Sequence, residues 1–172
     1  MLNQLVEEIK KEITKEMVEF FYKRTEAHIE RVRKNIRKII AKFPELDKQE
    51  MENRAFEHDD TKYGDKEFVP YVLMTWNYKQ VNHPTKGLSK EAIGEIDNAV
   101  ESHYKANDHH TDHYSDVKKM SKEAIAEMVS DWASMSQEKG NSLKKWADSF
   151  VAKHAFSDEQ KEFINRLVDL LG

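Results

Sequence analysis

Imidazole nitrogens and carboxylate oxygens can bind metals and move protons, so histidine and aspartate are the residues here most open to chemistry. The stretch EHDDTKYGDKEF, residues 57–68, sets His58 beside Asp59 and puts Lys62 three residues further on. Such a pair is a weak signal by itself. Its weight depends on what else falls at suitable positions along the chain.

Helical spacing supplies the wider set. His28 opens an apolar stripe continued by Val32, Ile36 and Ile39, His58 follows Met51 and Ala55, and His103 closes a stripe after Ala92, Ile96 and Ala99. Each of these three histidines is expected to face inward from its own helix. An inward imidazole needs a hydrogen-bond partner or a metal. In EMVSDW, Asp131 borders a buried side made by Ile125, Met128, Val129 and Trp132, with Glu127 one turn earlier. A carboxylate there calls for a nearby cation. One buried histidine is ordinarily a satisfied core group; four such positions on four helices point more strongly to a metal.

The elements that must position these residues are helices. Residues 2–22 and 24–42 both carry apolar positions three or four apart, and the second run ends before Pro44. Further helices are expected over 47–59 and near 66–79, the latter with Pro70 in its first turn, where proline is tolerated. LSKEAIGEI and MSKEAIAEM open two more, with Ser89 and Ser121 as N-caps. Gly140 should stop the helix that starts at Ser121. NSLKKWADSFVAKHAF forms the next, and Ser157 with Gln160 makes a capping box for a last helix to Leu170. Residues 80–88 and 107–120 read as polar loops, and no strand pattern stands out.

Composition agrees with a helical chain. Charged residues make up 35% and Gly and Pro number only five and three, which favours a single all-α domain of about seven or eight helices over residues 1–172. The net charge of −4 gives no general attraction to nucleic acid or to an anionic membrane. With no Cys, disulfides and thiolate zinc sites are excluded, and a reducing cytoplasm is the expected setting. The charged, amphipathic start MLNQLVEEIKKEITKEM lacks the apolar block of a signal peptide, so no membrane partner is expected.

The order of a His on an early helix, a His-Asp pair on a later one and an Asp much further on resembles the ligand order of HD-domain metal-dependent phosphohydrolases. The resemblance is closer to a group of short HD-like proteins of bacterial and phage genomes. They share HDxxK with an acidic, aromatic continuation, then HYKANDHH, EMVSDWASM and GNS. It runs from about Thr25 to Gly172, leaving the first 24 residues, an N-terminal helix, outside.

The resemblance implies an HD-like helical bundle with His28, His58, Asp59 and Asp131 as metal ligands. Such a nitrogen/oxygen set suits Mn, Fe, Co, Ni or Zn, with one ion or two. It also implies hydrolysis of a nucleotide or similar small phosphoester. Asp59 would help to orient the attacking water, and Lys62 would contact substrate phosphate. Glu127 could orient His28 or His58 through the other ring nitrogen. Arg24 and Arg31 lie within about 60° of His28 on a helical wheel and are the better phosphate candidates in a basic stretch that is too weak to argue for duplex nucleic acid. His103, with His109 and His110, could supply a second metal site; the 109–110 pair is expected instead to hold phosphate or to protonate the leaving group.

Two other functions stay open. One is an HD-fold di-iron oxygenase, and the other is a non-enzymatic binding module with a structural metal site. A small anionic substrate is the expected partner, and a homo-oligomer is left open.

Overall fold

The computed structural model describes residues 13–172. Among them the chain is all-α. Seven helices run in order as α1 (Lys15–Ile40), α2 (Lys48–Glu57), α3 (Phe68–Val81), α4 (Lys90–Ala106), α5 (Lys122–Lys139), α6 (Leu143–Val151) and α7 (Asp158–Leu171). Short 3-10 turns lie at Asp60–Tyr63, Thr111–His113 and Val117–Lys119, and no strand occurs among the described residues. Residues 2–12 of the expected first helix fall outside the described residues.

The helix starts have the local chemistry that serine and aspartate caps provide. Ser89, Ser121 and Ser142 accept the backbone N–H groups of Ala92, Ala124 and Lys145, and Asp47 accepts that of Glu50. Ser157 and Gln160 form a reciprocal capping box at the start of α7. Gly140 ends α5 at φ 67°, the left-handed geometry that a Cβ disfavours.

Three boundaries differ from the sequence expectation. The runs 2–22 and 24–42 do not form separate helices at residue 23, because α1 is unbroken from Lys15 to Ile40. Buried Thr25 carries the inward stripe from Phe21 to His28, so a polar residue bridges what reads as a gap. α2 stops at Glu57 and not at 59. His58 is already extended at ψ 124°, and Asp59 is left-handed at φ 64°. α6 ends at Val151, with a turn before Phe156, which is buried.

The chain partitions into two compact units. Among the described residues, the first holds 13–26 and 59–106, and the second 27–58 and 107–172. In the first, α3 and α4 pack with the start of α1 around Met17, Phe21, Val72, Leu73, Ile96 and Ala99. In the second, α5 is the central element. Every residue from Ala124 to Ser130 is buried, against Val32, Ile36 and Ile39 of α1, Met51 of α2, and Ile164 and Leu167 of α7. An environment this apolar makes any polar group on α5 expensive unless it is partnered. That constraint governs the site.

Candidate metal centre

In the second unit His28, His58 and Asp131 present ligand atoms that all lie within 4.8 Å of one another. His28 comes from the inward stripe of α1, His58 from the residue that ends α2, and Asp131 from α5. Arg33 fixes the end of α2, donating from Nε to the Ala55 carbonyl at 2.8 Å and from Nη2 to the Phe56 carbonyl at 3.0 Å. His28 Nε2 stands 3.3 Å from His58 Nε2 and 3.2 Å from Asp131 Oδ1.

The hydrogen bonds on the far side of each ring decide which nitrogens carry protons. His58 Nδ1 lies 2.8 Å from Glu127 Oε1, and His109 Nδ1 lies 3.2 Å from the same oxygen. Burial opposes a charge on Glu127, yet the hydrogen bonds from His109 and His58 hold its carboxyl well below the usual carboxylate range. An ionised carboxylate only accepts, so both Nδ1 atoms donate, and in the neutral rings both Nε2 atoms carry lone pairs. His28 is set by Ser134. Its hydroxyl accepts Arg31 Nε at 3.1 Å and has its one proton to give either to the His28 carbonyl at 3.2 Å or to His28 Nδ1 at 3.0 Å. With the proton on the carbonyl, the hydroxyl accepts from Nδ1 and His28 Nε2 carries a lone pair, the tautomer a metal requires.

Two imidazole lone pairs and a carboxylate thus converge. The spacing fits a metal. With bonds of about 2.0–2.1 Å, neighbouring ligand atoms stand about 3.0 Å apart in octahedral and about 3.4 Å in tetrahedral geometry. The observed 3.2 and 3.3 Å lie inside that span. The donor set is nitrogen and oxygen without sulfur, and three protein ligands leave positions for water or substrate.

Glu127 is itself anchored. Its second oxygen accepts Arg54 Nη1 at 3.0 Å, while Arg54 also grips both oxygens of Asp108 at 2.7 and 2.8 Å. Burial works against the guanidinium charge, but Asp108 and Glu127 keep it firmly protonated. Tyr114 is pushed up to about 12 by burial and the Asp108 charge.

The remaining expected site residues divide between the two units. Arg31 is spent within the second unit, on Ser134 and, at 3.5 Å, on Glu138. His109 is buried, and half-buried His110 sits beside it with ring centroids 4.2 Å apart. Asp59, Lys62, His103 and half-buried Arg24 belong to the first unit. There Asp59, only 2% exposed, pairs with Lys62 Nζ at 2.5 Å and with His103 Nε2 at 3.2 Å. His103 Nδ1 meets Glu67 Oε2 at 3.0 Å and Thr61 Oγ1 at 2.9 Å. Burial, with the carboxylates of Glu26 and Asp59 next in weight, raises the neighbouring Tyr63 phenol.

Five participants escaped the sequence reading: Arg54, Asp108 and Ser134 in the second unit, and Thr61 and Glu67 in the first. Some signals were present. Arg54 lies one helical turn before His58, Ser134 one turn after Asp131, and Glu67 closes the stretch that begins EHDD.

No helix among the described residues is long and apolar enough to cross a membrane. No curated protein and no solved structure matches the chain. A protein-family comparison matches residues 17–170, nearly the whole length, and the chain belongs to that family, a family of unknown function (DUF5662).

Proposed function

We propose that the protein is a metal-dependent phosphohydrolase acting on a nucleotide or a similar small phosphoester. The observation that carries this reading is the convergence of His28 Nε2, His58 Nε2 and an Asp131 oxygen, with each ring held from behind, His58 by Glu127 and His28 by Ser134. The order of these residues along the chain, which resembles that of the HD-domain phosphohydrolases, supports the choice of chemistry.

A divalent transition metal held there (Mn, Fe, Co, Ni or Zn) would polarise a phosphoryl oxygen and lower the pKa of a water. The chain's own residues do the rest. Glu127 keeps His58 Nδ1 protonated and Ser134 can accept from His28 Nδ1, so both rings can offer Nε2 without competing for a proton. Asp131 is the least buried of the three ligands, its side chain 21% exposed, and is the side from which a small anion would approach. His109, which shares the Glu127 oxygen with His58, is the ring in the second unit suited to hold phosphate or to protonate a leaving group. Cysteine-free composition accords with a cytoplasmic enzyme.

A second reading is the HD-fold di-iron oxygenase, since histidine and carboxylate ligands without sulfur also suit iron and dioxygen chemistry, with a second iron held by further histidines. Metal analysis followed by turnover separates the two. Purified protein should carry near one equivalent of transition metal and release phosphate from a member of a nucleoside mono-, di- and triphosphate panel. His58→Ala and Asp131→Ala should lose both. Two irons with dioxygen uptake would favour the oxygenase, and silence with all five metals would leave a binding module.

A further inference from the structure

Arg54 stands where two parts of the second unit meet, and it touches no candidate metal ligand. Its guanidinium joins the acidic side of α5, through Glu127, to the start of the histidine loop, through Asp108. Glu127 in turn orients His58 of the metal centre and His109 of that loop through a single oxygen. A continuous run of charged hydrogen bonds thus leads from a metal ligand to the loop: His58 to Glu127, Glu127 to Arg54, Arg54 to Asp108. Asp108 is the residue before His109, so the place where Arg54 holds the chain is also the place from which His109 is presented.

We infer that Arg54 is a positioning residue that couples metal binding to the placement of the loop 107–113. This rests on the metal centre proposed above and adds a regulatory link to it. The physical basis is the fork geometry of guanidinium. Arg54 reaches both oxygens of Asp108 and one oxygen of Glu127 at once, using the two terminal nitrogens. Nε adds a bond to Glu50 on the same helix at 2.9 Å, and a lysine ammonium would keep the positive charge near the three carboxylates but cannot reproduce these bonds in fixed directions. When a metal draws on the His58 Nε2 lone pair, the Nδ1 proton becomes more acidic, and its bond to Glu127 strengthens. A carboxylate drawn towards His58 shifts the anchor on which Arg54 and, through it, Asp108 are set. Coupling of this kind is reciprocal, so fixing the loop must tighten the metal by the same factor as metal fixes the loop.

The test uses the full chain and Co2+ alone, read by its visible absorption and by chelator competition. Hydrogen exchange of the amides in 107–113 is followed with and without Co2+. Arg54→Lys is expected to weaken Co2+ by about 10–100-fold while leaving the far-ultraviolet circular dichroism unchanged. At saturating Co2+, wild type should gain protection across 107–113 and Arg54→Lys should gain much less. Asp108→Asn, at a half-buried position, is the companion should Arg54→Lys fold poorly. It should shift affinity and protection in the same direction by a smaller factor. Co2+ bound equally by wild type and either folded variant, or equal loop protection in both, overturns the coupling while the metal centre stands. A wild-type chain that binds no Co2+ removes the centre and the coupling together.

Discussion

Metal should stabilise the fold by an amount that the architecture lets us work out. A ligand that binds only the folded state contributes about 2.7 kcal/mol at a hundred times its Kd. Unfolding entropy runs near 2.1 cal/mol/K per residue, or about 0.36 kcal/mol/K for 172 residues melting together. The melting temperature should then rise by about 7–8 °C. All three candidate ligands lie in the second unit, which holds 98 residues, 32 in 27–58 and 66 in 107–172. If that unit melts separately, the same free energy raises its transition by about 13 °C and leaves the other transition where it was. Scanning calorimetry of chelator-treated protein, with and without each of Mn, Fe, Co, Ni and Zn, gives the answer. His58→Ala is the control and should show no rise. Shifts below about 2 °C with every metal, or the same shift in the control, would refute the reasoning.

Further expectations concern single side chains. Glu127 has its folded pKa depressed, so its contribution to stability is fully present above about pH 4.5 and is lost as pH falls through the lower folded value. Glu127→Gln should therefore show a shallower acid-unfolding limb below that pH, and equal limbs would count against an ionised buried Glu127. Lys62→Met should cost about 3 kcal/mol in urea unfolding, because it removes the cation beside buried Asp59; Asp59→Asn should cost less, since asparagine tolerates the left-handed φ of 64° and leaves no buried charge. The reverse order would contradict the ion-pair assignment. Gly140→Ala should lose about 1 kcal/mol through backbone conformation alone, as a Cβ there meets nothing within 4 Å. An unchanged denaturation midpoint would show that the left-handed cap carries no constraint.

Local features were legible in the sequence because local chemistry causes them. The serine caps at 89, 121 and 157 and the glycine stop at 140 rest on contacts within a few residues. So does the inward placement of His28 and His103, which follows from helical spacing on α1 and α4. The break expected at residue 23 does not occur, because buried Thr25, with one small hydroxyl, continues the inward stripe from Phe21 to His28. His58 is buried as expected but is not helical, since apolar spacing shows which way a residue faces and not where the helix lets go. The histidine loop reads as polar from its composition, which does not show that His109 is buried. Glu127, eighteen residues further along the chain, is what makes burial of His109 tolerable. Arg54 with Asp108 and Ser134 with His28 are pairings of 54 and 106 residues' separation, beyond the reach of any short motif.

The single hydroxyl proton of Ser134 has a consequence for inheritance. In the metal-binding tautomer that proton goes to the His28 carbonyl, and the Oγ serves the centre as an acceptor that also takes Arg31 Nε. Threonine at 134 preserves that accounting, whereas alanine leaves the His28 ring without its acceptor and valine adds bulk as well. Position 127 obeys a similar rule, since it must accept from two rings at one oxygen. Among relatives, a chain that retains His28, His58 and Asp131 should therefore also retain a hydroxyl at 134 and a carboxylate at 127. A lineage that has given up metal should release all five positions together. Co-inheritance across two separate helices and a helix end would record the chemistry even where no single motif does.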